Sequence, residues 1–190
     1  MCVKESMTHF GFQSVSPSEK TQRVTQVFDS VASRYDLMNN ILSFGTHHLW
    51  KRVAVAHLAV RPGQVVLDLA GGSGDLARLI VKQLGPSGRV ILADYNAAML
   101  HVGRDRLLDE GCLNTVTVLQ ANAEALPFED NTLDRAIIGF GLRNFTHHMR
   151  ALGSLYRACK PGGKIVILEF TQPTHPLVKA LYDSYSFHIL

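Results

Sequence analysis

Cysteine, long apolar runs and an excess of one charge are all scarce in this chain of 190 residues. Its three cysteines, Cys2, Cys112 and Cys159, are far apart and form no Cys-x-x-Cys motif, which argues against a disulfide framework or a zinc site. No apolar run approaches the roughly 18 residues that a membrane-spanning helix needs. A net charge of +3 is too small to predict nucleic-acid binding.

A secretory signal is also missing, because residues 1–20 contain no continuous apolar segment. We therefore expect a soluble cytoplasmic protein. Apolar residues make up 46% of the chain and charged residues 18%, which is ordinary for a globular protein. The length suits one domain, or one domain with a cap, that buries a sizeable core.

The stretch from Val65 to Asp75 predicts the centre of the fold. An apolar run that contains Asp68 leads into a glycine-rich turn, 71–74, and apolar residues then recur at helical spacing as far as Leu84. Strand, glycine turn and helix in this order begin a doubly wound α/β sheet, in which ligands bind at the carboxyl ends of the strands.

The rest of the chain repeats this alternation of strand and helix, which predicts a mostly parallel sheet with right-handed crossovers. Further strands are predicted at 89–93, 115–120, 133–140 and 164–170. Other helices are predicted at 22–40, 48–58, 97–110 and 149–159.

The two helices that precede the first strand leave two interpretations open. They either pack against the sheet or form a lid over the active site, since they have no obvious place in the sheet itself. We therefore expect an N-terminal extension and helical lid in residues 1–60, and a cofactor-binding α/β domain in residues 61–190.

The glycine turn by itself fits two cofactors. Gly72-x-Gly74-x-x-Ala77 satisfies the loose dinucleotide fingerprint, and Asp94 follows at about the distance of a ribose-binding acid, so NAD and S-adenosylmethionine are hard to separate. Asp68 and Asp75 favour S-adenosylmethionine, because carboxylates at this turn oppose a pyrophosphate but suit an ammonium and a sulfonium. Asp75 also has a simpler explanation, since an acid in a first helical turn complements the helix dipole.

Further stretches, taken together with the glycine turn, resemble a known family. Asn122 follows the strand 115–120, where its amide could bond the edge of adenine or belong to an ordinary loop. The matching stretches are residues 67–75, residues 122–128, Phe140-Gly141-Leu142-Arg143-Asn144, Ser33-Arg34-Tyr35-Asp36-Leu37-Met38-Asn39, Lys160-Pro161-Gly162-Gly163 and Ser184-Tyr185-Ser186-Phe187-His188. From about Thr8 to its last residue the chain is similar to the class I methyltransferases of ubiquinone and menaquinone biosynthesis.

The resemblance implies a C-methyltransferase that uses S-adenosyl-L-methionine. Its substrates would be polyprenyl quinols, namely demethylmenaquinol and 2-polyprenyl-6-methoxy-1,4-benzoquinol. The cofactor site would include Asp68 and the loop residues Gly72, Ser73 and Gly74 at the methionine part, Asp94 at the ribose hydroxyls, and Asn122 with Ala123 at adenine. Gly139 stands where the family often has serine, so only a backbone contact carries over there.

Arg143 and Asn144 are the first candidates for catalysis. The ring carbon of a quinol becomes nucleophilic when a neighbouring hydroxyl loses its proton, so a base with a cation beside the phenolate serves the reaction. Tyr35 and Asp36 on the predicted lid are second candidates. The alternatives are a structural salt bridge between Arg143 and an acid such as Asp36 or Glu169, and a packing role for Tyr35.

The nine histidines do not predict a metal site. The adjacent pairs His47-His48 and His147-His148 cannot converge on one ion as an i, i+4 pair does. Tyr185 and His188 lie in a stretch that resembles the family, and they could border the substrate pocket.

A polyprenyl quinol as substrate implies weak, peripheral contact with the inner face of the membrane. Leu49, Trp50, Lys51 and Arg52 form a candidate patch of apolar and basic residues, although Trp50 also suits a core position. The sequence is also compatible with a homo-oligomer or with a complex of the quinone-biosynthesis machinery.

The family pattern continues beyond Leu190 with a final antiparallel strand pair, so we expect a truncated chain of doubtful stability and activity. The strand 164–170 is then a long apolar edge, which is an aggregation liability. Two other functions stay open, an NAD-linked oxidoreductase on a similar sheet and a non-catalytic partner of the biosynthetic machinery.

Overall fold

A parallel sheet lies at the centre of the molecule, as the alternation of strands and helices predicts. The computed structural model describes residues 7–10, 13–31 and 45–170. The strands are β1 (Thr8–Phe10), β2 (Gln13–Val15), β3 (Val65–Leu69), β4 (Arg89–Asp94), β5 (Val116–Gln120), β6 (Leu133–Gly139) and β7 (Cys159–Leu168). The helices are α1 (Pro17–Val31), α2 (Thr46–Leu58), α3 (Asp75–Leu84), α4 (Ala97–Asp109) and α5 (His148–Ala158).

Strand β3 occupies the middle of this sheet, whose order within the described residues is β5-β4-β3-β6-β7. Its pairings on both sides are parallel, and Leu67 lies opposite Ile91 of β4 and Ala136 of β6. The chain builds one side of the sheet first and then returns to β6, so the strand order reverses between β3 and β6. Ligands of doubly wound sheets bind at such a reversal, beyond the carboxyl ends of the strands.

Burial explains why the sequence located β3 so clearly. Its residues 66–69 are at most 1% exposed. Alternate side chains of a strand point to opposite faces, and Val66 packs in the core that includes Ile80 of α3, whereas Leu67 packs in the core that includes Leu155 of α5. A parallel strand that is buried on both faces is a nearly continuous apolar run.

The two N-terminal helices take different places. Helix α2 packs against α3, β6 and β7, and Lys164 Nζ of β7 donates a hydrogen bond to the His57 carbonyl oxygen at 2.7 Å. Helix α1 instead contacts α4 and lines a cavity at the carboxyl ends of the strands. Helix α2 therefore packs against the sheet, as the first interpretation has it. Helix α1 lies over the cavity, as the second has it. The domain division at residue 60 stays a prediction.

Helix α1 begins at Pro17, five residues before the predicted start at residue 22. Ser16 Oγ accepts a hydrogen bond from the Glu19 backbone N–H at 3.2 Å, which caps the first turn. Proline is favoured at the first helical position because its missing N–H has no partner there in any case. Just before α1, β1 and β2 form a short antiparallel pair.

Strand β7 begins at Cys159, five residues before the predicted start at residue 164. The pairing of β7 with β6 moves from Leu133 opposite Cys159 to Arg135 opposite Lys164. The extra residues on β7 therefore form a bulge or a similar irregularity in its pairing with β6.

A buried ion pair joins α2 to the start of α3. Lys51 Nζ lies 2.6 Å from Asp75 Oδ2, and Arg106 Nη1 of α4 lies 2.9 Å from Asp75 Oδ1. Burial by itself raises the pKa of Asp75, but attraction to Lys51 and then to Arg106 holds that pKa below its ordinary value. Asp75 thus connects helices α2, α3 and α4. Favourable interaction with the dipole of α3 does not by itself explain this role.

The same ion pair corrects the predicted surface patch on α2. Lys51 is buried against Asp75 and does not belong to the patch. Leu49 and Trp50 are 62% and 38% exposed, so Trp50 is not a core residue either.

Replacing Lys51 with methionine should destabilise the fold, because the buried Asp75 carboxylate then loses the cation that lies 2.6 Å from its Oδ2. Removing one partner of a buried pair costs about 3 kcal/mol of unfolding free energy, which urea unfolding measures. Arg104→Met is the matched control, because Arg104 and its partner Asp105 have side chains 51% and 62% exposed. That control should change stability by less than about 0.5 kcal/mol. Equal losses for the two variants would contradict the role given to Lys51.

Candidate active site

A cavity opens beyond the carboxyl ends of β3, β4, β5 and β6, where the strand order reverses. The strand ends line it with Leu69, Ala70, Gly72, Asp94, Tyr95, Asn96, Ala121, Asn122, Ala123, Glu124, Gly139, Phe140 and Gly141. Helix α1 and the remaining segments add Pro17, Ser18, Thr21, Val24, Thr25, Phe28, Met99 and residues 144–147.

The glycine loop between β3 and α3 brings backbone rather than side chains to this cavity. A Cβ at Gly71 would lie 2.3 Å from Leu92 Cδ1 and 2.8 Å from Asp68 Cγ, so no side chain fits there. Gly72 lines the cavity, and Ala70 before it adopts a left-handed backbone with φ 55°. Such strain in a non-glycine residue is characteristic of functional sites.

Two glycines at the end of β6 border the same cavity. A Cβ at Gly139 would lie 2.5 Å from Leu76 Cδ1, and a Cβ at Gly141 would lie 2.5 Å from Ala70 Cβ. Gly139 therefore offers a ligand its backbone alone, and the cofactor contact expected there stays a prediction.

Asp94 holds the glycine loop and the next helix at once. Its Oδ2 accepts a hydrogen bond from Gly72 N at 2.9 Å, and its Oδ1 accepts one from Asn96 N at 2.8 Å. Burial raises the pKa of Asp94 above its ordinary value, although these backbone N–H groups favour the charged form and lower it. Asp94 also lines the cavity, and carboxylate oxygens have several lone pairs, so the group can accept ligand hydroxyls as well.

Asn122 and Ala123 lie where the sequence predicts them, in the cavity wall after β5. Asn122 Oδ1 accepts a hydrogen bond from Glu124 N at 2.9 Å, which fixes the orientation of the side-chain amide. The Asn122 side chain therefore has one donor group, Nδ2, and one remaining lone pair that can pair with the edge of adenine.

Asp68 lies beneath the glycine loop and is not among the residues that line the cavity. It is fully buried; its Oδ2 accepts a hydrogen bond from Ala77 N at 2.9 Å, and its Oδ1 has no partner in the described part of the chain. Burial raises the pKa of Asp68 to about 7, and the Ala77 N–H lowers it by a smaller amount. A direct contact between Asp68 and a cofactor stays a prediction, and these contacts favour an indirect role.

Ser73 and Gly74 are also outside the cavity lining. Ser73 is 3% exposed, and Gly74 precedes the first residue of α3 with φ 79°. Their assignment to the methionine part of the cofactor therefore stays a prediction. Asp75, whose charge also favoured a cationic cofactor, is engaged by Lys51 and Arg106 instead.

Arg143 and Asn144, the first catalytic candidates, take different positions. Asn144 lines the cavity, whereas Arg143 does not. The Arg143 guanidinium pairs with the Glu169 carboxylate, and its backbone N–H donates to Glu169 Oε2 at 3.2 Å. The salt bridge with Glu169, one of the two interpretations of Arg143, is thus present. Tyr35, Asp36, Tyr185 and His188 lie outside the described residues.

Helix α1 contributes the residues that the sequence did not assign to the site. Thr21, Val24 and Phe28 line the cavity from one face of the helix, and Asp29 Oδ1 accepts a hydrogen bond from Asn96 Nδ2 at 2.7 Å. The regular spacing of Val24 and Phe28 marks an apolar helix face but does not say whether that face meets a core or a ligand. Asn96 could have been found, because it caps α4 two residues after Asp94.

The polar groups of this cavity fit the expected cofactor. A carboxylate with spare acceptor capacity suits ribose hydroxyls, an oriented amide suits adenine, and exposed loop backbone suits the amino-acid part. The fold and this arrangement together define a class I S-adenosylmethionine-dependent methyltransferase. The chain belongs to the ubiE/COQ5 methyltransferase family, whose pattern it matches over residues 16–190.

Curated relatives support the same membership. The chain is 57% identical over 190 residues to the ubiquinone/menaquinone biosynthesis C-methyltransferase UbiE of Legionella pneumophila strain Philadelphia 1, covering all of this chain and 76% of that protein. It is 53% identical over 186 residues to the protein of the same name from Coxiella burnetii strain RSA 331, covering 98% and 74%.

Solved structures of distant proteins share the fold. A SAM-dependent methyltransferase from Aquifex aeolicus superposes with a TM-score of 0.61 at 23% identity, covering 66% of each chain. The [4+2]-cyclase SpnF superposes with a TM-score of 0.70 at 19% identity, covering 82% of this chain and 62% of that one. Such likeness shows the fold alone.

The family membership favours S-adenosylmethionine over NAD, and no comparison supports the alternative of an oxidoreductase. None of the helices in the described ranges has the length and hydropathy to cross a membrane.

Asp68 predicts a pH dependence of stability. Its folded pKa of about 7 lies above the ordinary value of 3.8, so the proton that stabilises the folded state is lost as the pH rises through about 7. Relative to the unaltered chain, Asp68→Asn should therefore gain unfolding free energy as the pH rises from about 4 to about 7, and the gain should level off above that. Urea unfolding of both proteins across this range measures the difference between their unfolding free energies. Both contain the same histidines, so the titration of the histidines cancels in this difference. A difference that stays constant with pH would show that Asp68 is not protonated in the folded state.

Proposed function

We propose that this chain methylates a ring carbon of polyprenyl quinols, converting demethylmenaquinol to menaquinol and acting on 2-polyprenyl-6-methoxy-1,4-benzoquinol. The observation that carries the proposal is the identity of 53–57%, over nearly the whole chain, to relatives named as ubiquinone/menaquinone biosynthesis C-methyltransferases. The cavity supports it, because polar groups suited to a cofactor share its wall with Val24, Phe28 and Phe140, which suit an aromatic ring.

S-adenosylmethionine supplies an electrophilic methyl group on a sulfonium when it is bound. In this proposal Asp94 accepts hydrogen bonds from the ribose hydroxyls, and Asn122 and Ala123 border the adenine. Gly72, followed by Ser73 and Gly74, presents the loop to the methionine part. Asp68 acts on the methionine part of the cofactor indirectly, because its hydrogen bond with Ala77 N fixes the first turn of α3.

The acceptor needs activation more than the leaving group does, since the sulfur departs neutral. The protein contributes by holding the ring carbon at attack distance, which can supply several kcal/mol. Asn144 lies in the cavity wall and would orient the quinol hydroxyl or a water. Arg143 would stabilise the phenolate, and its five N–H donors allow it to do so while it keeps Glu169. Tyr35 and Asp36 remain second candidates.

Peripheral contact with the membrane is also part of the proposal. Its support is the exposure of Leu49 and Trp50 on α2, with Arg52 as the exposed basic neighbour in place of the buried Lys51. Self-association and a complex with other biosynthetic enzymes stay predictions from the sequence.

Replacing Asp94 with asparagine should weaken the binding of S-adenosylmethionine and S-adenosylhomocysteine at least about tenfold, since a hydrogen bond to a charged group is worth roughly 1.5–3 kcal/mol. Calorimetric titration measures this, and Asp105→Asn, at a side chain 62% exposed, should bind like the unaltered chain. NAD should bind to none of the three proteins. Tight NAD binding by the unaltered chain would overturn the choice of cofactor.

Replacing Arg143 with alanine should lower kcat for a short-chain demethylmenaquinol by roughly a hundredfold, because the phenolate loses its cation. The affinity for S-adenosylmethionine should stay unchanged in the same variant. Glu169→Gln removes the salt bridge but keeps the guanidinium, so it controls for a purely structural effect. An unchanged rate in Arg143→Ala would exclude a catalytic role, and equal losses in the two variants would assign the effect to the salt bridge. No methylation by the unaltered chain would favour the non-catalytic alternative.

A further inference from the structure

Three aromatic side chains from separate elements meet at one edge of the molecule, and we call them the aromatic cluster: Trp50 of α2, Phe140 after β6 and Phe170 after β7. The rings of Phe140 and Phe170 stack with centroids 4.5 Å apart and an interplanar angle of 23°. Trp50 meets both of them edge-on, with its centroid 5.6 Å from that of Phe170 and 6.4 Å from that of Phe140. These distances and angles are those of favourable aromatic pairs.

Phe140 connects the aromatic cluster to the cavity, since it also lines the cavity wall. Its backbone is left-handed, with φ 57°, and its N–H donates a hydrogen bond to the Leu168 carbonyl oxygen at 2.7 Å. A bulky residue in this conformation is a true outlier, and such strain persists at sites where function constrains the chain. The bond to β7 holds the strained residue where its ring belongs to both the cavity wall and the cluster.

The aromatic cluster is not part of the core. Trp50 is 38% exposed and Phe170 is 55% exposed. Leu49 and Val53, also on α2, are 62% and 48% exposed. An apolar path thus runs from the cavity wall to the surface, and apolar surface of this kind marks a place where an apolar partner binds.

We infer that the aromatic cluster binds the first part of the polyprenyl chain of the acceptor. The inference rests on the proposed function, in which this chain is a substituent of the ring that receives the methyl group and must leave the cavity beside that ring. Arg143 Cζ lies 5.6 Å from the centroid of Phe170, so the candidate partner of the phenolate touches the same cluster. A polyprenyl chain has no hydrogen-bonding groups, and the stacked phenyl rings can contact it without leaving a polar group unpaired.

A bilayer is the other apolar partner that these exposed residues could meet. A binding site for the polyprenyl chain differs from a bilayer contact in one measurable respect. Such a site distinguishes acceptors by the length of their polyprenyl chain even where no bilayer is present.

The test uses the full chain in detergent micelles, with saturating S-adenosylmethionine and with demethylmenaquinols of short and long polyprenyl chains. Trp50→Ala and Phe170→Ala should each raise KM for the long-chain acceptor about tenfold, the size expected when one apolar side chain is lost from a contact. For the short-chain acceptor the rise should stay below about twofold, and Trp50→Phe should restore most of the affinity for the long chain. Tyr156→Ala, which removes an aromatic ring 79% exposed on α5, should change neither value.

Unchanged affinity for S-adenosylmethionine in both alanine variants shows that they are folded. Equal rises in KM for both acceptors, or no rise in either variant, would overturn the inference while leaving the proposed function intact. A rise that is found in lipid vesicles but is absent in micelles would assign the cluster to the bilayer instead. If the unaltered chain methylates neither acceptor although it binds S-adenosylmethionine, the proposed function fails and the inference fails with it.

Discussion

The carboxylate of Asp94 is the group on which the geometry of the site depends. Through Gly72 N it fixes the glycine loop after β3, and through Asn96 N it fixes the start of α4. Asn96 then caps α4 by accepting a hydrogen bond from Met99 N at 2.9 Å, and its Nδ2 donates to Asp29 of α1. Three segments that are distant in sequence are thus connected through the half-buried Asp94 and its neighbour Asn96. The Asp94 side chain also lines the cavity that those segments border.

The sheet could be predicted because its strands are local patterns. Residues 66–69 and 136–138 are at most 1% exposed and, apart from Asp68, apolar, and such runs are recognisable without knowledge of their neighbours. The errors lie where one residue sets the geometry. Ser16 and Pro17 begin α1 earlier than the apolar spacing shows, and the bulge in β7 depends on a change of register with β6 that only the paired strands reveal.

The candidate site was predictable to the extent that position along a strand determines it. Asp94 and Asn122 follow strands directly and therefore reach the cavity. The charges of Asp68 and Asp75 favoured the correct cofactor, yet neither residue lines the cavity. Asp68 lies under the glycine loop, and Asp75 pairs with Lys51 and Arg106. Partners at such sequence distance leave no local signal. For Arg143 the sequence offered both a catalytic and a structural interpretation, and the salt bridge with Glu169 belongs to the second without excluding the first.

The glycines at the end of β6 bear on any attempt to redesign the acceptor range. At Gly139 the obstacle to a methyl group is the tip of the Leu76 side chain, which can turn away. At Gly141 the obstacle is Ala70 Cβ, which is attached to a left-handed backbone and can move only if the loop moves. The cavity wall is therefore adjustable at Gly139 and rigid at Gly141. Enlarging or narrowing it by mutation is practical near Leu76, whereas a change at Gly141 would displace the segment that carries the cofactor loop.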